Sequence, residues 1–115
     1  MHYDNLMKIL IVCQYYYPKN FSITRIAEGL AARGFSVDVL TGKPDIGYGV
    51  IDPKYKDVDD EIINRVNVHR VDISPCKKNT LSLIKNYISF WRNSRKWVKN
   101  CIENYDVVYS YSLSP

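Results

Sequence analysis

The sequence lacks the short motifs that mark several large classes of α/β protein. It has only five glycines in 115 residues, and the first of them is Gly29. The first apolar run is therefore not followed by a G-x-G-x-x-G turn, and there is no P-loop. Cys13 and Gln14 stand where a phosphoacceptor receiver would have acidic residues. These absences argue against a dinucleotide-dependent oxidoreductase, a nucleoside triphosphatase and a response regulator.

Cysteine and histidine are also too scarce to form a recognisable site. Three cysteines lie far apart with no C-x-x-C or Cys/His spacing, so we predict no metal site and a reduced, cytoplasmic setting. Cys13 is predicted to be a small buried hydrophobe, and His69 to have a structural role. No Ser-His-Asp or Cys-His arrangement is present, and we expect no cofactor. The N-terminus has no apolar run long enough for a signal peptide or a membrane span.

Charge is mild in total but uneven along the chain. The net charge of +4 does not by itself indicate nucleic acid as a partner, and none is predicted. The segment 77–99 holds seven basic residues and no acidic one, whereas the segment 52–61 is mainly acidic. The first segment is therefore the strongest basic surface that the sequence predicts.

The first 40 residues predict a β-α-β unit. The apolar run 8–14 is typical of a parallel strand that helices cover on both faces. Ser22 is a candidate N-cap for a helix with apolar residues at helical spacing, and Gly34 is its predicted C-terminal cap. A second strand is predicted over 35–40, with Asp38 as an exposed exception.

The rest of the chain continues the same pattern. We predict a long loop over 41–64, a third strand over 66–73, a helix from Thr80 to about Asn104 and a fourth strand over 106–109. The fold class is therefore α/β, Rossmann-like, in three layers, with four mainly parallel strands and two principal helices.

The long helix has two apolar stripes, and each of them requires a partner. One stripe holds Ile84, Tyr87, Ile88, Trp91, Val98 and Ile102; the other holds Leu83, Phe90, Trp97 and Cys101. Together they cover about half of the circumference, which is wider than a usual core-facing stripe of about 100°. We expect one stripe to pack on the sheet and the other to need a different partner.

Two loops follow adjacent strands and should open on the same crevice. The first is Pro18, Lys19, Asn20, Phe21 and Ser22, and it leads into a helix N-terminus, which favours an anion. The second is Thr41, Gly42, Lys43 and Pro44. The residues alone equally allow ordinary turns with solvated lysines at both places.

The order of these motifs resembles the N-terminal domain of GT-B glycosyltransferases. The similarity runs from the strand 8–12 and the tyrosine-rich loop with Pro18 through "IAEGLAARG" (26–34) and the segment 35–44. It continues through "VNVHRV" (66–71) to Asp106, Val107 and Val108. The chain is most similar to the retaining family 4, in particular to enzymes of O-antigen and capsule synthesis such as the fucosamine transferase-like group.

The resemblance implies that residues 8–115 are part of an acceptor-side domain, preceded by a leader at 1–7. The parent enzyme would transfer a sugar from a nucleotide-sugar to a saccharide or lipid-linked acceptor. The loop at 18–22 would face the donor diphosphate and acceptor, and the loop at 41–44 would line the acceptor side. The donor-binding domain would be separate, so we expect this chain alone to be inactive, and its catalytic residues are unknown.

A lipid-linked acceptor would place the protein at the inner membrane face. The candidate membrane-facing residues are Trp91, Arg92, Lys96, Trp97 and Lys99, although a core helix with a solvated basic face is the alternative. We expect a homo-oligomer or a swapped dimer, because apolar surface would lack cover. Two rival functions stay open: a non-enzymatic interaction module working with a separate partner chain, and a flavodoxin-like small-ligand binder.

Overall fold

A computed structural model describes residues 7–14, 16, 22–44, 51–73 and 80–111 of the chain. The strands are β1 (Lys8–Cys13), β2 (Ser36–Gly42), β3 (Asp60–Ile63), β4 (Val66–Val71) and β5 (Val107–Tyr111); the helices are α1 (Ser22–Ala32) and α2 (Thr80–Cys101). A short 3-10 turn, Ile102–Asn104, joins α2 to β5. Residues 1–6 of the predicted leader (1–7) and residues 17–21 lie outside the described ranges.

The sheet has five strands in the order β3-β4-β2-β1-β5, and only the β3–β4 pair is antiparallel. The α/β class with a mainly parallel sheet is therefore confirmed. The prediction of four strands was wrong because β3 lies inside the segment 41–64, which was predicted to be a loop. β3 escaped the sequence pattern because it is only four residues long and begins with two acids, Asp60 and Glu61.

The β3–β4 hairpin closes through a two-residue turn with an unusual backbone. Asn64 has φ 50° and Arg65 has φ 72°. Positive φ at both central positions is the requirement of a type I′ turn, whose twist matches that of the flanking strands. Asn tolerates this conformation, whereas Arg is strained in it. The turn was not predicted because it lacks the glycine that normally marks it.

α1 covers one face of the sheet with an apolar core. Ile23, Ala27 and Ala31 pack with alternate residues of the strands, among them Ile11 and Val39. α1 begins at Ser22 itself, so Ser22 is its first helical residue rather than its cap. Ile26, predicted to share the core face of this helix, is 49% exposed.

The end of α1 has the predicted glycine cap. Gly34 has φ 96°, its N–H donates to the Ala31 carbonyl at 3.1 Å, and the Phe35 N–H donates to the Leu30 carbonyl at 3.2 Å. This pair of bonds is a Schellman motif, and Phe35 and Leu30 both pack against the core as its usual hydrophobic contact.

α2 contacts the opposite face, and the structure decides which of its two stripes faces the sheet. Phe90, Trp97 and Cys101 are half-buried, and the polar residues Asn86 and Ser94 are buried beside them. The other stripe points outward, where Ile88 is 51% exposed and Trp91 is 60% exposed. Within the described ranges, no helix combines the length and the apolarity that a bilayer crossing requires.

β5 pairs with β1 in parallel but forms an edge of the sheet. Val107, Val108 and Tyr109 are all between 42% and 50% exposed. Their exposure leaves both faces and one edge of β5 open, so this is the less protected edge of the sheet.

We expect Arg65→Gly to stabilise the protein by roughly 0.5–1 kcal/mol, because glycine removes the left-handed strain at the turn. Arg65→Val should destabilise it instead, because a β-branched side chain disfavours positive φ. Thermal or urea denaturation of the three proteins measures both effects. Equal stability of the glycine and valine variants would contradict the assigned turn.

Candidate functional site

The path of the chain identifies one place at the carboxyl ends of the parallel strands where a ligand site is expected. From β1 the chain moves through α1 to β2 and then to β4 on one side, and returns through α2 to β5 on the other side of β1. The direction of progress therefore reverses between β1 and β5. In open α/β sheets, ligands bind outside the carboxyl ends of the strands at such a reversal.

The carboxyl ends of β1 and β2 are locked together rather than open. Thr41 Oγ1 donates to the Gln14 carbonyl at 3.2 Å, and the Gly42 N–H donates to the same oxygen at 3.4 Å. Gln14 Nε2 also donates to Asn86 Oδ1 on α2. A Cβ at Gly42 would lie 3.0 Å from the Ile73 side chain, so this position has little room for any other residue.

Lys43 is buried, which differs from a solvated loop lysine. Its Nζ lies 2.8 Å from Asp72 Oδ1 and 3.1 Å from Asp59 Oδ1, and it donates to the Lys56 carbonyl at 2.6 Å. Burial disfavours its charged form, but the hydrogen bonds to Asp72 and Asp59 outweigh burial and raise the pKa of Lys43. Its positive charge is therefore paired with carboxylates of this chain.

These contacts show that the predicted second loop, 41–44, is partly strand and mostly buried. Thr41 and Gly42 belong to β2, and both are buried together with Lys43; only Pro44 is half-buried. The segment 41–44 is therefore largely buried at the carboxyl end of β2 and does not form an exposed loop. Of the predicted first loop, Ser22 is exposed at the start of α1, and 18–21 lie outside the described ranges.

Two buried hydroxyls lie at the same edge without a hydrogen-bond partner among the described residues: Tyr16 Oη and Thr24 Oγ1. Tyr16 follows the end of β1 and is 3% exposed, and Thr24 lies in the first turn of α1 and is 5% exposed. Burial raises the pKa of Tyr16, so its O–H stays protonated and able to donate. A buried hydroxyl without a partner costs about 1–3 kcal/mol, so such a pair is unusual.

Arg70 was not predicted as a functional residue, yet its side chain is fully buried. Its Nε donates to Glu61 Oε2 at 2.7 Å, its Nη1 donates to the Gly42 carbonyl at 3.1 Å, and its guanidinium lies 4.8 Å from the Tyr55 ring centre. It fixes the ends of β2 and β3 to β4. Its position in the alternation of buried and half-buried residues along β4 is the sequence pattern that could have predicted this burial.

A second polar cluster lies under α2, away from the carboxyl ends. His69 Nε2 lies 3.0 Å from Asp38 Oδ2, and His69 Nδ1 lies 2.6 Å from Asp60 Oδ1. Asp38 also accepts from Tyr105 Oη at 2.7 Å and from Asn67 Nδ2 at 3.0 Å. Asp38 is therefore the half-buried centre of this cluster, and the prediction that it is exposed was wrong.

The pKa values of Asp38 and His69 are shifted in opposite directions. Burial disfavours the charged form of Asp38, but hydrogen bonds from His69, Tyr105 and Asn67 outweigh it and lower the pKa of Asp38. The hydrogen bond to Asp38 raises the pKa of His69, against the effect of burial. A histidine with a carboxylate on each ring nitrogen holds its proton and cannot accept another, so it does not serve as a general base. This geometry supports a structural role for His69.

The candidate membrane-facing residues fall on two sides of α2. Trp91, Arg92, Lys96 and Lys99 line one surface pocket of about 470 Å³ together with Arg95. Trp97 lies on the sheet side instead, with its ring centre 4.8 Å from that of His69. Trp97 is therefore part of the interior contact of α2 and is not available to a membrane.

The cluster of Asp38 and His69 predicts a pH-dependent stability. The folded pKa of His69 is raised above its ordinary value, so its contribution is complete below about pH 6.5 and is lost as the pH rises through the folded pKa. We expect the melting temperature to fall as the pH rises above about 6.5, and to fall less in His69→Gln.

His2→Gln is the matched control, because it removes the other histidine of the chain. It should keep the wild-type pH dependence. An identical pH dependence in wild type and His69→Gln would show that His69 does not contribute through its charge.

The described residues contain no group of three His, Cys, Asp or Glu side chains arranged to hold a metal ion. Cys13 is free and buried, as predicted, and Cys101 is also free. Comparisons with known protein families, curated proteins and solved structures give no match. The candidate functional surfaces among the described residues are the carboxyl ends of the strands and the outward face of α2.

Proposed function

We propose that this chain is the acceptor-side part of a GT-B glycosyltransferase, with a Rossmann-like three-layer arrangement. The parent enzyme would transfer a sugar from a nucleotide-sugar to a saccharide or lipid-linked acceptor in surface polysaccharide synthesis. We place it in the cytoplasm, with peripheral contact at the inner membrane face. The observation that supports this proposal most is the reversal of the chain path between β1 and β5, with α1 following β1.

The chemistry at the carboxyl ends of the strands favours an anionic or polyhydroxyl ligand. The start of α1 presents backbone N–H groups and the positive end of the helix dipole. Tyr16 and Thr24 add two buried hydroxyls that have no partner in the described part of the chain. A phosphate or sugar hydroxyl has the donors and acceptors that would satisfy them.

The same region disfavours a dinucleotide as the ligand. No glycine follows β1 before Gly29, so the turn after β1 lacks the residues that let a pyrophosphate approach closely in dinucleotide-binding folds. Lys43 and Arg70 are both engaged by this chain's own carboxylates and carbonyls, so neither is a free cation for the ligand. The parent enzyme would therefore need cations from a separate donor-binding domain.

The alternative is a non-enzymatic module that works with a separate partner chain. The open edge of β5 favours this reading, because an edge strand with exposed Val107 and Tyr109 is suited to pairing with another strand. The same edge supports the predicted homo-oligomer or swapped dimer. Binding of a small phosphorylated ligand at the carboxyl ends of the strands would favour the enzyme over a module that only pairs with another chain or with a second copy.

We expect inorganic phosphate or a sugar phosphate to shift the amide NMR signals of Ser22 and Thr24, while His69 and Asp60 stay unchanged. Tyr16→Phe and Thr24→Val each remove one buried hydroxyl and keep the side-chain shape. Each variant should bind about tenfold more weakly, because a hydrogen bond to a charged group is lost. Each should also be as stable as wild type or more stable, because an unpaired hydroxyl is removed.

Ser94→Ala is the matched control, because Ser94 Oγ is also buried and unpartnered among the described residues but lies on α2. It should leave ligand affinity unchanged. Absence of binding, or equal affinity in all three variants, would contradict the ligand site at this edge. Sugar transfer by this chain alone would contradict its assignment as an acceptor-side part.

A further inference from the structure

The outward face of α2 begins with an apolar half. Leu81, Ile84, Ile88 and Trp91 lie on one side of the helix over its first three turns and are between 47% and 62% exposed. Single exposed apolar residues are ordinary, but a contiguous group of this size marks a contact surface. Because α2 packs on the sheet through its opposite side, the sheet does not use this group.

The second half of the same face is basic. Arg92, Arg95, Lys96 and Lys99 are exposed and line one pocket with Trp91, and the Arg95 guanidinium lies 5.3 Å from the Trp91 ring centre. Within the described part of the chain, no salt bridge involves any of these four cations. Their charges are thus available to an anionic partner.

The two halves together restrict the kind of partner. A second copy docked face to face would place the four cations against the partner's cations when the helices are parallel, or against its apolar half when they are antiparallel. Neither arrangement pairs the cations with anions, which disfavours self-association through this face. Nucleic acid would use the cations but has no use for exposed Leu81, Ile84 and Ile88. A bilayer with anionic headgroups satisfies both halves, because acyl chains receive the apolar side chains and phosphates receive the cations.

We propose that the outward face of α2 docks this protein on the surface of a membrane that contains anionic phospholipid, with the helix lying parallel to the membrane plane. Trp91 lies at the junction of the two halves, where an aromatic ring suits the headgroup region. The docking is peripheral, and it needs neither a nucleotide nor a saccharide. It rests on the membrane contact of the proposed function and names the surface and the lipid that would make that contact, and vesicle binding tests it separately from ligand binding at the sheet edge.

The first experiment is co-sedimentation of the full chain with vesicles. We expect binding to vesicles of phosphatidylcholine mixed with phosphatidylglycerol, little binding to phosphatidylcholine alone, and weaker binding as salt is raised. Arg92→Glu combined with Lys96→Glu should lower the partition coefficient at least about tenfold, since each basic residue near an anionic surface contributes about 1 kcal/mol.

The matched control is Arg33→Glu combined with Lys54→Glu, which gives the same change of net charge on exposed residues outside α2. It should bind clearly better than the α2 variant. Equal loss in the two double variants would mean that net charge alone drives binding, and would overturn the assignment to this face. Wild-type binding that does not differ between the two kinds of vesicle would overturn the proposal itself.

The second experiment tests the apolar half with Trp91 as the probe. Tryptophan emission of the wild type should shift to shorter wavelength on the anionic vesicles, and this shift should be absent in Trp91→Phe. Ile84→Ser combined with Ile88→Ser should weaken vesicle binding; both residues are exposed, so folding should persist. Concentration-dependent self-association that this double variant abolishes, without vesicle binding, would assign the face to a second copy and overturn the proposal.

Discussion

The pairing of Asp38 with His69 is the interaction on which the arrangement of α2 depends. Both residues point from central strands to the same face of the sheet, where Asn67 joins them. Half-buried polar groups need hydrogen-bond partners, so an apolar helix face could not cover this part of the sheet at low cost. α2 and the turn after it instead bring Trp97 against His69 and Tyr105 Oη to Asp38.

This polar sheet face explains the orientation of α2. With Asn86, Ser94 and Trp97 turned inward, Ile84, Ile88 and Trp91 necessarily lie on the outward side of the same helix. On the opposite face of the sheet the buried Arg70 lies at the end of β4, whereas the strand residues that pack with α1 are apolar, and α1 accordingly buries an ordinary apolar stripe. Two helices with similar amphipathic patterns therefore pack by different rules, because the two faces of one sheet differ.

The sequence pattern predicted the helices and strands better than it predicted which of their residues are buried. β1, α1 and β2 follow from an apolar run, helical spacing and Gly34, because each of those signals is local. The choice between the two stripes of α2 is not local, since it depends on Asp38 and His69, which lie 31 residues apart and meet only in the sheet. The burial of Lys43 has the same origin, because Asp59 and Asp72 approach it from different segments.

The two polar regions of the protein differ in role: the region around His69 supports the fold, and the carboxyl ends of the strands are the candidate ligand site. Around His69 the carboxylates, the phenol of Tyr105 and the amide of Asn67 are paired, so that region has little capacity left for a ligand. At the carboxyl ends of the strands, Lys43 and Arg70 are equally engaged, yet Tyr16 and Thr24 keep unpartnered hydroxyls within the described residues. Ser94 Oγ under α2 is a third such hydroxyl, whereas Tyr16 and Thr24 lie after the end of β1 and in the first turn of α1, where two unpaired hydroxyls retain a free-energy cost. A ligand that removes that cost gains affinity there, which is the physical reason to place the binding site at this edge of the sheet.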